Sequence, residues 1–398
     1  MRVVVIGAGE AGVRVCVALR EQGFDGELAL IGEERRLPYE RPPLSKGALL
    51  AGDAHVIADA RRFADLGVDF LSGVAATAID RATRRVNLSD GGSRAYDKLV
   101  IATGARPRRL DLSGADSCLT LRTQEDMLVL RERLREGARA VIVGAGFIGL
   151  ELAATMRAQG CAVTVVEAAG RVLQRATPPD ISALVEARHR AEGVDILLGA
   201  GVAGFESACV HLTDGSRLRA DFILLGVGAV PEVTLAREAG LALDNGIAVD
   251  SRLITSDSDI LAVGDCASFP HPLFGGRRLR LEAWRNAFDQ GVFAARSLMG
   301  AQDLYQAIPW FWSDQYDRCL QIAGVPEAGV RTILRELGEG ARLLFHLAND
   351  GRLVAVGGWG ALGQIAKEVR IGEMLIARGA TPDPEALASP SAKLKGML

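Results

Sequence analysis

Short unbroken apolar runs alternate along this chain with stretches of helical period, the pattern of buried parallel strands joined by crossover helices. Residues 3–6 are apolar and β-branched and predict a strand buried on both faces. Ala11, Val15, Ala18 and Leu19 then recur at helical spacing, and residues 27–31 predict a second strand. The same order of textures returns later, with a strand at Arg139–Val143, a helix over 150–156 and a strand over 161–166. Further strands are predicted at Phe222–Leu225 and just before Gly264-Asp265, with a helix over 282–298. Residues 69–101 predict a short β-meander, in which Asp90-Gly-Gly92 turns the chain between residues 86–88 and Lys98–Ile101. From about Pro309 the texture changes to a small α+β region, with a hairpin turning at Asn349-Asp-Gly351 and a helix over 364–377.

The two strand–helix junctions carry the same punctuation. Gly7, Gly9 and Gly12 stand in G-x-G-x-x-G spacing after the first strand, and Gly144, Gly146 and Gly149 repeat it after the strand Arg139–Val143. The first glycine permits the tight turn, the second lets a pyrophosphate approach the backbone, and the third lets helix pack on strand. The helix N-terminus adds free N–H groups and partial positive charge. Each unit also has an acidic residue at its second strand's end, Glu33 and Glu167, placed to accept from a ribose 2′-hydroxyl. A duplicated unit with both features predicts an α/β protein with two Rossmann-like dinucleotide-binding domains. Glu167 would repel a 2′-phosphate and favours NADH, with Arg171 nearby as the opposing charge. Residues 226–231 echo Ala102-Thr-Gly104, and Asp265, leaving a buried strand, needs a hydrogen-bond partner such as a ribityl hydroxyl.

Bulk properties narrow the function classes. A chain of 398 residues has room for two or three domains, and its 49% apolar and 24% charged residues describe a globular protein. A formal net charge of −3 gives no global attraction to nucleic acid or to an anionic membrane. No apolar run is long enough to span a bilayer, and with a strand predicted from residue 2 the expected location is cytoplasmic. Cys16, Cys118, Cys161, Cys209, Cys266 and Cys319 form no C-x-x-C pair and no metal-ligand spacing, so no metal site is predicted. Arg41-Pro-Pro-Leu-Ser-Lys46 is stiffened by proline and holds two cations, fit either to meet a cofactor or to be a solvated connector.

Several segments together resemble the NADH-dependent ferredoxin reductases of bacterial oxygenase systems, the family of putidaredoxin reductase and the biphenyl dioxygenase ferredoxin reductase. They are Gly7–Gly12, Arg41–Lys46, Ala102-Thr-Gly-Ala-Arg-Pro107, Gly144–Glu151, Gly264-Asp265 and Pro309-Trp-Phe-Trp-Ser-Asp-Gln315. The resemblance implies a glutathione-reductase-like architecture: an FAD-binding domain at 1–108 and 232–308, an NADH-binding domain at 109–231, and a C-terminal domain at 309–398. It implies FAD contacts from Gly7, Gly9, Ala11, Gly12, Glu33, Arg41, Lys46, Ala76, Ala102, Thr103, Gly104, Arg122, Asp265 and Trp284. It implies NADH contacts from Gly144, Gly146, Phe147, Ile148, Gly149, Glu151, Glu167 and Gly228. Lys46 paired with Glu151 near the flavin N5, and Trp312 against the flavin or nicotinamide, are the implied catalytic residues. Phe147 either gates the nicotinamide or packs the βα crossing.

The implied partner is an acidic [2Fe–2S] ferredoxin serving a terminal oxygenase, with Arg277, Arg278 and Arg280, or Arg106, Arg108 and Arg109, as candidate docking charges. Without a cysteine in the Arg41–Lys46 neighbourhood, dithiol or peroxide chemistry is not expected. Rubredoxin reductase, monodehydroascorbate reductase and NADH oxidase are the enzymatic alternatives. An NADH-sensing interaction protein resembling apoptosis-inducing factor is the alternative of another class.

Overall fold

Val3, Val4, Val5 and Ile6 are all buried, and this two-faced burial makes Arg2–Ile6 a central strand of a parallel sheet. The computed structural model describes residues 1–398, which divide into two compact units. Residues 1–40, 55–106 and 231–310 form the first; residues 41–54, 107–230 and 311–398 form the second.

In the first unit the sheet runs Ile260–Ala262, Lys98–Ile101, Arg2–Ile6, Glu27–Gly32, Asp69–Ser72, all parallel. Helix Glu10–Glu21 follows the first strand, and helix Trp284–Leu298 packs against it at Gly291. A Cβ there would stand 2.7 Å from Ala11 O and 2.8 Å from Arg14 Cβ.

The expected meander over 69–101 is narrower than its sequence suggests. Only Ala76–Asp80, Arg85–Leu88 and Ser93–Ala95 form an antiparallel ribbon. The Asp90–Gly92 turn leads to Ser93–Ala95, and Lys98–Ile101 instead lies beside Arg2–Ile6 in the parallel sheet. The reason is in its side chains: Leu99, Val100 and Ile101 are fully buried, so both faces of this strand need cover.

The second unit repeats this plan. Its sheet runs Phe222–Leu225, Arg139–Val143, Ala162–Glu167, Asp195–Leu198, and the glycine-loop helix is Phe147–Ala158. A second antiparallel ribbon, Val202–Glu206, Cys209–Leu212 and Arg217–Arg219, matches the first unit's. The duplication therefore extends well past the glycines. The same unit holds a five-stranded C-terminal sheet in the order Trp310–Gln315, Arg318–Gly324, Leu353–Gly360, Ala341–Leu347, Arg331–Gly338, with helix Leu362–Ala377 upon it. Gly358 allows the close approach, since a Cβ there would meet Leu343, Val369 and Ile365 at 2.9 to 3.2 Å.

Candidate functional site

The two glycine loops are near copies in geometry. Gly7 has φ +107° and Gly144 has φ +106°, values that side chains rarely adopt. A Cβ would stand 2.2 Å from Ala102 O at Gly7 and 2.5 Å from Gly226 O at Gly144. At Gly12 and Gly149 it would stand 1.9 and 2.2 Å from the carbonyl of the loop's own first glycine. Gly9 and Gly146 differ: a Cβ at Gly9 meets nothing within 4 Å, and at Gly146 only Gly226 O at 3.8 Å. Both are helix N-caps in extended conformation, and neither helix start has a side-chain cap. The fold itself requires the outer glycines, whereas the middle ones leave space over uncapped N–H groups. That space suits the phosphates of a dinucleotide.

Gly264 and Asp265 of the first unit lie beside its loop, while Ala76 and Glu33 are placed by their strands alone. Gly264 has φ +77°, and a Cβ there would stand 3.2 Å from Ala11 Cβ, which puts the Gly264–Cys266 turn and half-buried Asp265 beside the start of helix Glu10–Glu21. Gln290 is fully buried; its Oε1 accepts from Gly264 N–H at 2.7 Å, while its Nε2 has no partner. A buried orphan donor at this turn fits a polar group that the chain alone does not supply. Thr103 Oγ1 donates to Glu232 O at 2.6 Å and fixes the end of the strand Lys98–Ile101. Glu10 lies in the first helical turn, where burial raises its pKa and Arg14, 3.3 Å away, opposes that. Trp284 begins its helix and packs on Phe288. Ala76 is the first residue of its strand, and Glu33 is exposed just past the strand Glu27–Gly32.

In the second unit, Lys46 and Glu151 meet. Lys46 Nζ lies 3.1 Å from Glu151 Oε1, with side-chain exposures of 21% and 7%. Glu151 Oε2 accepts from Ser45 Oγ at 2.5 Å and Oε1 accepts from Ser313 Oγ at 2.6 Å. Burial pushes the Glu151 pKa up, and Lys46 and the two serines pull it back. One turn further along the helix, Thr155 Oγ1 donates to Ser45 O at 2.8 Å, so one helix face grips the proline loop twice. That loop forms a short 3-10 turn, Pro42–Ser45, whose prolines occupy the first positions, where an N–H is dispensable. Arg41 Nη1 donates to Arg122 O at 2.7 Å and ties the loop's entrance to the chain before helix Gln124–Arg131.

The strand Trp310–Gln315 divides its residues by parity. Ser313 and Gln315 are buried. Trp312 and Asp314 share the other face, with Trp312 Nε1 donating to Asp314 Oδ2 at 3.1 Å. Lys46 Nζ lies 5.5 Å from the Trp312 ring centre and 3.8 Å from Asp314. Phe147 stacks on Phe311 with ring centres 4.2 Å apart, so packing is one role it has. Ile148 is 46% exposed.

Glu167 is tied to its own glycine loop. Its Oε2 accepts from Ala145 N–H at 2.7 Å and its Oε1 from Ala169 N–H at 2.8 Å. Gly228 has φ +103° and its carbonyl accepts from Arg108 N–H. Arg171, the charge that opposed an NADH preference, is engaged elsewhere. It donates to Thr177 O, Ser182 Oγ and Gln174 O at 2.6, 2.6 and 2.8 Å.

Ser45, Thr155 and Ser313 belong to the site and were not singled out by sequence reasoning. Serine and threonine carry no periodic signal; only the Glu151–Thr155 spacing hinted at a shared helix face. The cysteines are all free thiols, and five are buried. Burial pushes Cys16 and Cys319 up to about 12, far from a reactive thiolate. Of the candidate docking arginines, Arg278 pairs with Asp244 at 3.2 Å, Arg280 with Glu282 at 2.7 Å and Arg106 with Glu232 at 3.2 Å. No helix is long and apolar enough to cross a membrane.

The chain is similar to known proteins over nearly its whole length. Residues 1–291 match the family described as pyridine nucleotide-disulphide oxidoreductase, and residues 310–398 match the family described as reductase C-terminal. The anthranilate 1,2-dioxygenase system ferredoxin–NAD(+) reductase component of Burkholderia cepacia is 39% identical over 405 residues, covering 99% of this chain and 98% of its own. Putidaredoxin reductase of Pseudomonas putida is 41% identical over 371 residues, covering 89% and 87%. Among solved structures, the ferredoxin reductase for the CYP199A2 system from Rhodopseudomonas palustris superimposes with a TM-score of 0.94 at 38% identity, covering 99% of both chains. The covalent putidaredoxin reductase–putidaredoxin complex gives a TM-score of 0.94 at 37% identity, covering 100% and 97%. The chain belongs to the pyridine nucleotide-disulphide oxidoreductase family, on the branch of ferredoxin–NAD(+) reductases that carries the reductase C-terminal domain.

Proposed function

We propose that this chain is a cytoplasmic FAD-dependent reductase that passes electrons from NADH to a [2Fe–2S] ferredoxin serving an oxygenase. The observation that carries the reading is the Lys46–Glu151 pair, locked by Ser45, Ser313 and Thr155 beside Trp312. The relatives' names add the electron acceptor: the Burkholderia relative is the ferredoxin–NAD(+) reductase component of a dioxygenase system, and one solved neighbour is a complex with putidaredoxin.

In this reading the FAD-binding domain is 1–108 and 232–308, the NADH-binding domain 109–231, and the C-terminal domain 309–398. Gly7, Gly9, Ala11 and Gly12 receive the FAD pyrophosphate, Glu33 and Ala76 its adenosine half, and Ala102–Gly104, Asp265 and Trp284 the remainder. Arg41, Lys46, Arg122 and Trp312 complete the flavin contacts. Gly144, Gly146 and Gly149 receive the NADH pyrophosphate, with Glu167 on the ribose and Phe147, Ile148, Glu151 and Gly228 lining the site. Bound FAD supplies the conversion between the two-electron chemistry of NADH and the one-electron chemistry of an iron–sulfur centre.

The protein's own contribution is electrostatic. Lys46 is a cation held by a buried carboxylate, so it presents fixed positive charge without reorganising during turnover. Glu151 in turn is kept in place by two hydroxyl donors. The glycine loops bind phosphate with backbone N–H groups, and Glu167 orients the loop whose ligand it also meets. The proline loop Arg41–Lys46 holds no cysteine. Dithiol exchange is accordingly not part of the reading.

NADH-driven cytochrome c reduction, with and without an added [2Fe–2S] ferredoxin, tests the proposal. Strong stimulation by ferredoxin is expected. No stimulation by any ferredoxin, together with slow flavin reduction, points to the NADH-sensing alternative.

A further inference from the structure

Beyond Ser313, the hydrogen bonds continue within the second unit. Gln315 Nε2 donates to Ser313 Oγ at 3.2 Å, His189 Nε2 lies 2.9 Å from Gln315 Oε1, and the Tyr316 hydroxyl lies 3.2 Å from His189 Nδ1. Ser313, Gln315 and His189 are all buried, and His189 reaches the chain from helix Pro179–Ala191. Tyr316 sits at φ +56°, a conformation that a bulky residue adopts only when its surroundings impose it. That turn places its ring against His189, with centres 5.1 Å apart, and 5.2 Å from the Arg188 guanidinium carbon.

These groups admit two self-consistent directions. If Glu151 is ionised, it accepts from Ser313, which accepts from the Gln315 amide. Gln315 Oε1 must then accept from His189 Nε2–H, and Nδ1 accepts from the Tyr316 hydroxyl. If Glu151 is protonated and its O–H donates a hydrogen bond to Ser313 Oγ, every link reverses. The Gln315 amide turns over, His189 changes to the Nδ1–H tautomer, and Tyr316 becomes the acceptor.

We infer that His189, Gln315 and Tyr316 form a positioning relay for the Lys46–Glu151 pair, in which hydrogen-bond direction and the charge on Glu151 are one coupled state. Lys46, 3.1 Å from Oε1, and Ser45, donating to Oε2, select the ionised direction. An amide does not pass protons along such a chain, so the relay orients and holds charge and does not conduct. The groups facing it are known on each side. Glu151 faces Lys46, with Asp314 beyond it; His189 faces Arg188, and Tyr316 faces Arg188, Arg157 and Glu192, with Asp317 paired to Arg188. Burial holds His189 neutral, its pKa pushed down to about 4, so it serves as a fixed tautomer at neutral pH. The consequence for turnover rests on the proposed function; the tautomer and the carboxyl charge do not.

Holoenzyme labelled with ¹⁵N-histidine gives the His189 tautomer by NMR, and infrared difference spectra report whether Glu151 carries a protonated carboxyl band. The wild type should show the Nε2–H tautomer and no such band near pH 6. His189→Phe should bring the band up and move the acid limb of anaerobic flavin reduction by NADH upward by about one pH unit. His189→Gln, whose amide can still donate to Gln315, should restore most of the wild-type profile. Tyr316→Phe removes only the terminal hydroxyl and should shift the same limb less, which keeps the test available if His189→Phe does not fold. An Nδ1–H tautomer in the wild type overturns the relay. So do folded, FAD-loaded variants whose infrared and pH profiles superimpose on the wild type. If NADH fails to reduce the wild-type flavin, the functional reading falls, while NMR and infrared spectra still decide the relay.

Discussion

Glu151 and Thr155 stand one helical turn apart and hold the same residue of the proline loop: Glu151 accepts from Ser45 Oγ and Thr155 donates to Ser45 O. This double grip fixes the residue that precedes Lys46, so the helix that begins at the second glycine loop also sets where the ammonium stands. Thr155→Val keeps the shape and removes the donor. It should cost about 1 kcal/mol by denaturant unfolding of the holoenzyme and slow flavin reduction by NADH several-fold. Unchanged values in both measurements would remove Thr155 from the site.

The glycines separate fold from cofactor. Gly12→Ala drives a Cβ into the Gly7 carbonyl and should destabilise the chain by more than about 4 kcal/mol. Gly9→Ala meets no protein atom and should cost only about 1 kcal/mol as a poorer helix cap, yet its methyl occupies the space left for phosphate. A folded Gly9→Ala protein purified without FAD is the expected result. Gly146→Ala should keep FAD and raise the KM for NADH, which steady-state kinetics would show.

In the proposed reading, nucleotide choice follows from Glu167 and Arg171. A 2′-phosphate would face the Glu167 carboxylate, and Arg171 is committed to Thr177, Gln174 and Ser182. NADPH should therefore be used less well than NADH by on the order of 10²-fold in kcat/KM. Glu167→Ala should narrow the gap at least tenfold, by roughly the like-charge penalty it removes. Equal use of both nucleotides by the wild type would contradict the assignment.

His189, His271 and His346 are buried, and burial lowers the pKa of each, so all three weaken the fold in acid. Burial pushes His189 and His346 from the ordinary 6.5 down to about 4. Between these values the unfolded chain binds protons that the native state refuses, so stability falls as pH drops from about 6.5 to about 4. The loss is roughly 3 kcal/mol for each of these two histidines over that window. Chemical denaturation as a function of pH should show the decline, and His346→Gln should flatten part of it. A pH-independent unfolding free energy across the window would refute the contribution.

Much of this architecture is legible in the residues. Unbroken runs such as 3–6 and Arg139–Val143 mark strands because both their faces need cover, and the glycine spacing marks the turns that follow. Lys98–Ile101 misleads because its position just after a ribbon suggests a further hairpin strand, while its burial belongs to the parallel sheet. In the site, Lys46, Glu151 and Trp312 stand out by type and motif. Ser313 and Gln315 do not, although strand alternation alone assigns them to the face opposite Trp312. His189 is invisible in the sequence because its partner Gln315 lies 126 residues away and only the tertiary fold unites them.

Anaerobic stopped-flow reduction of the bound flavin by NADH, in the wild type and in FAD-loaded Lys46→Ala, tests the central claim most directly. If the Glu151-held ammonium is the fixed charge that the flavin meets, Lys46→Ala should slow reduction by on the order of 10²-fold or lose the flavin outright. A flavin-replete variant reduced at the wild-type rate would contradict it.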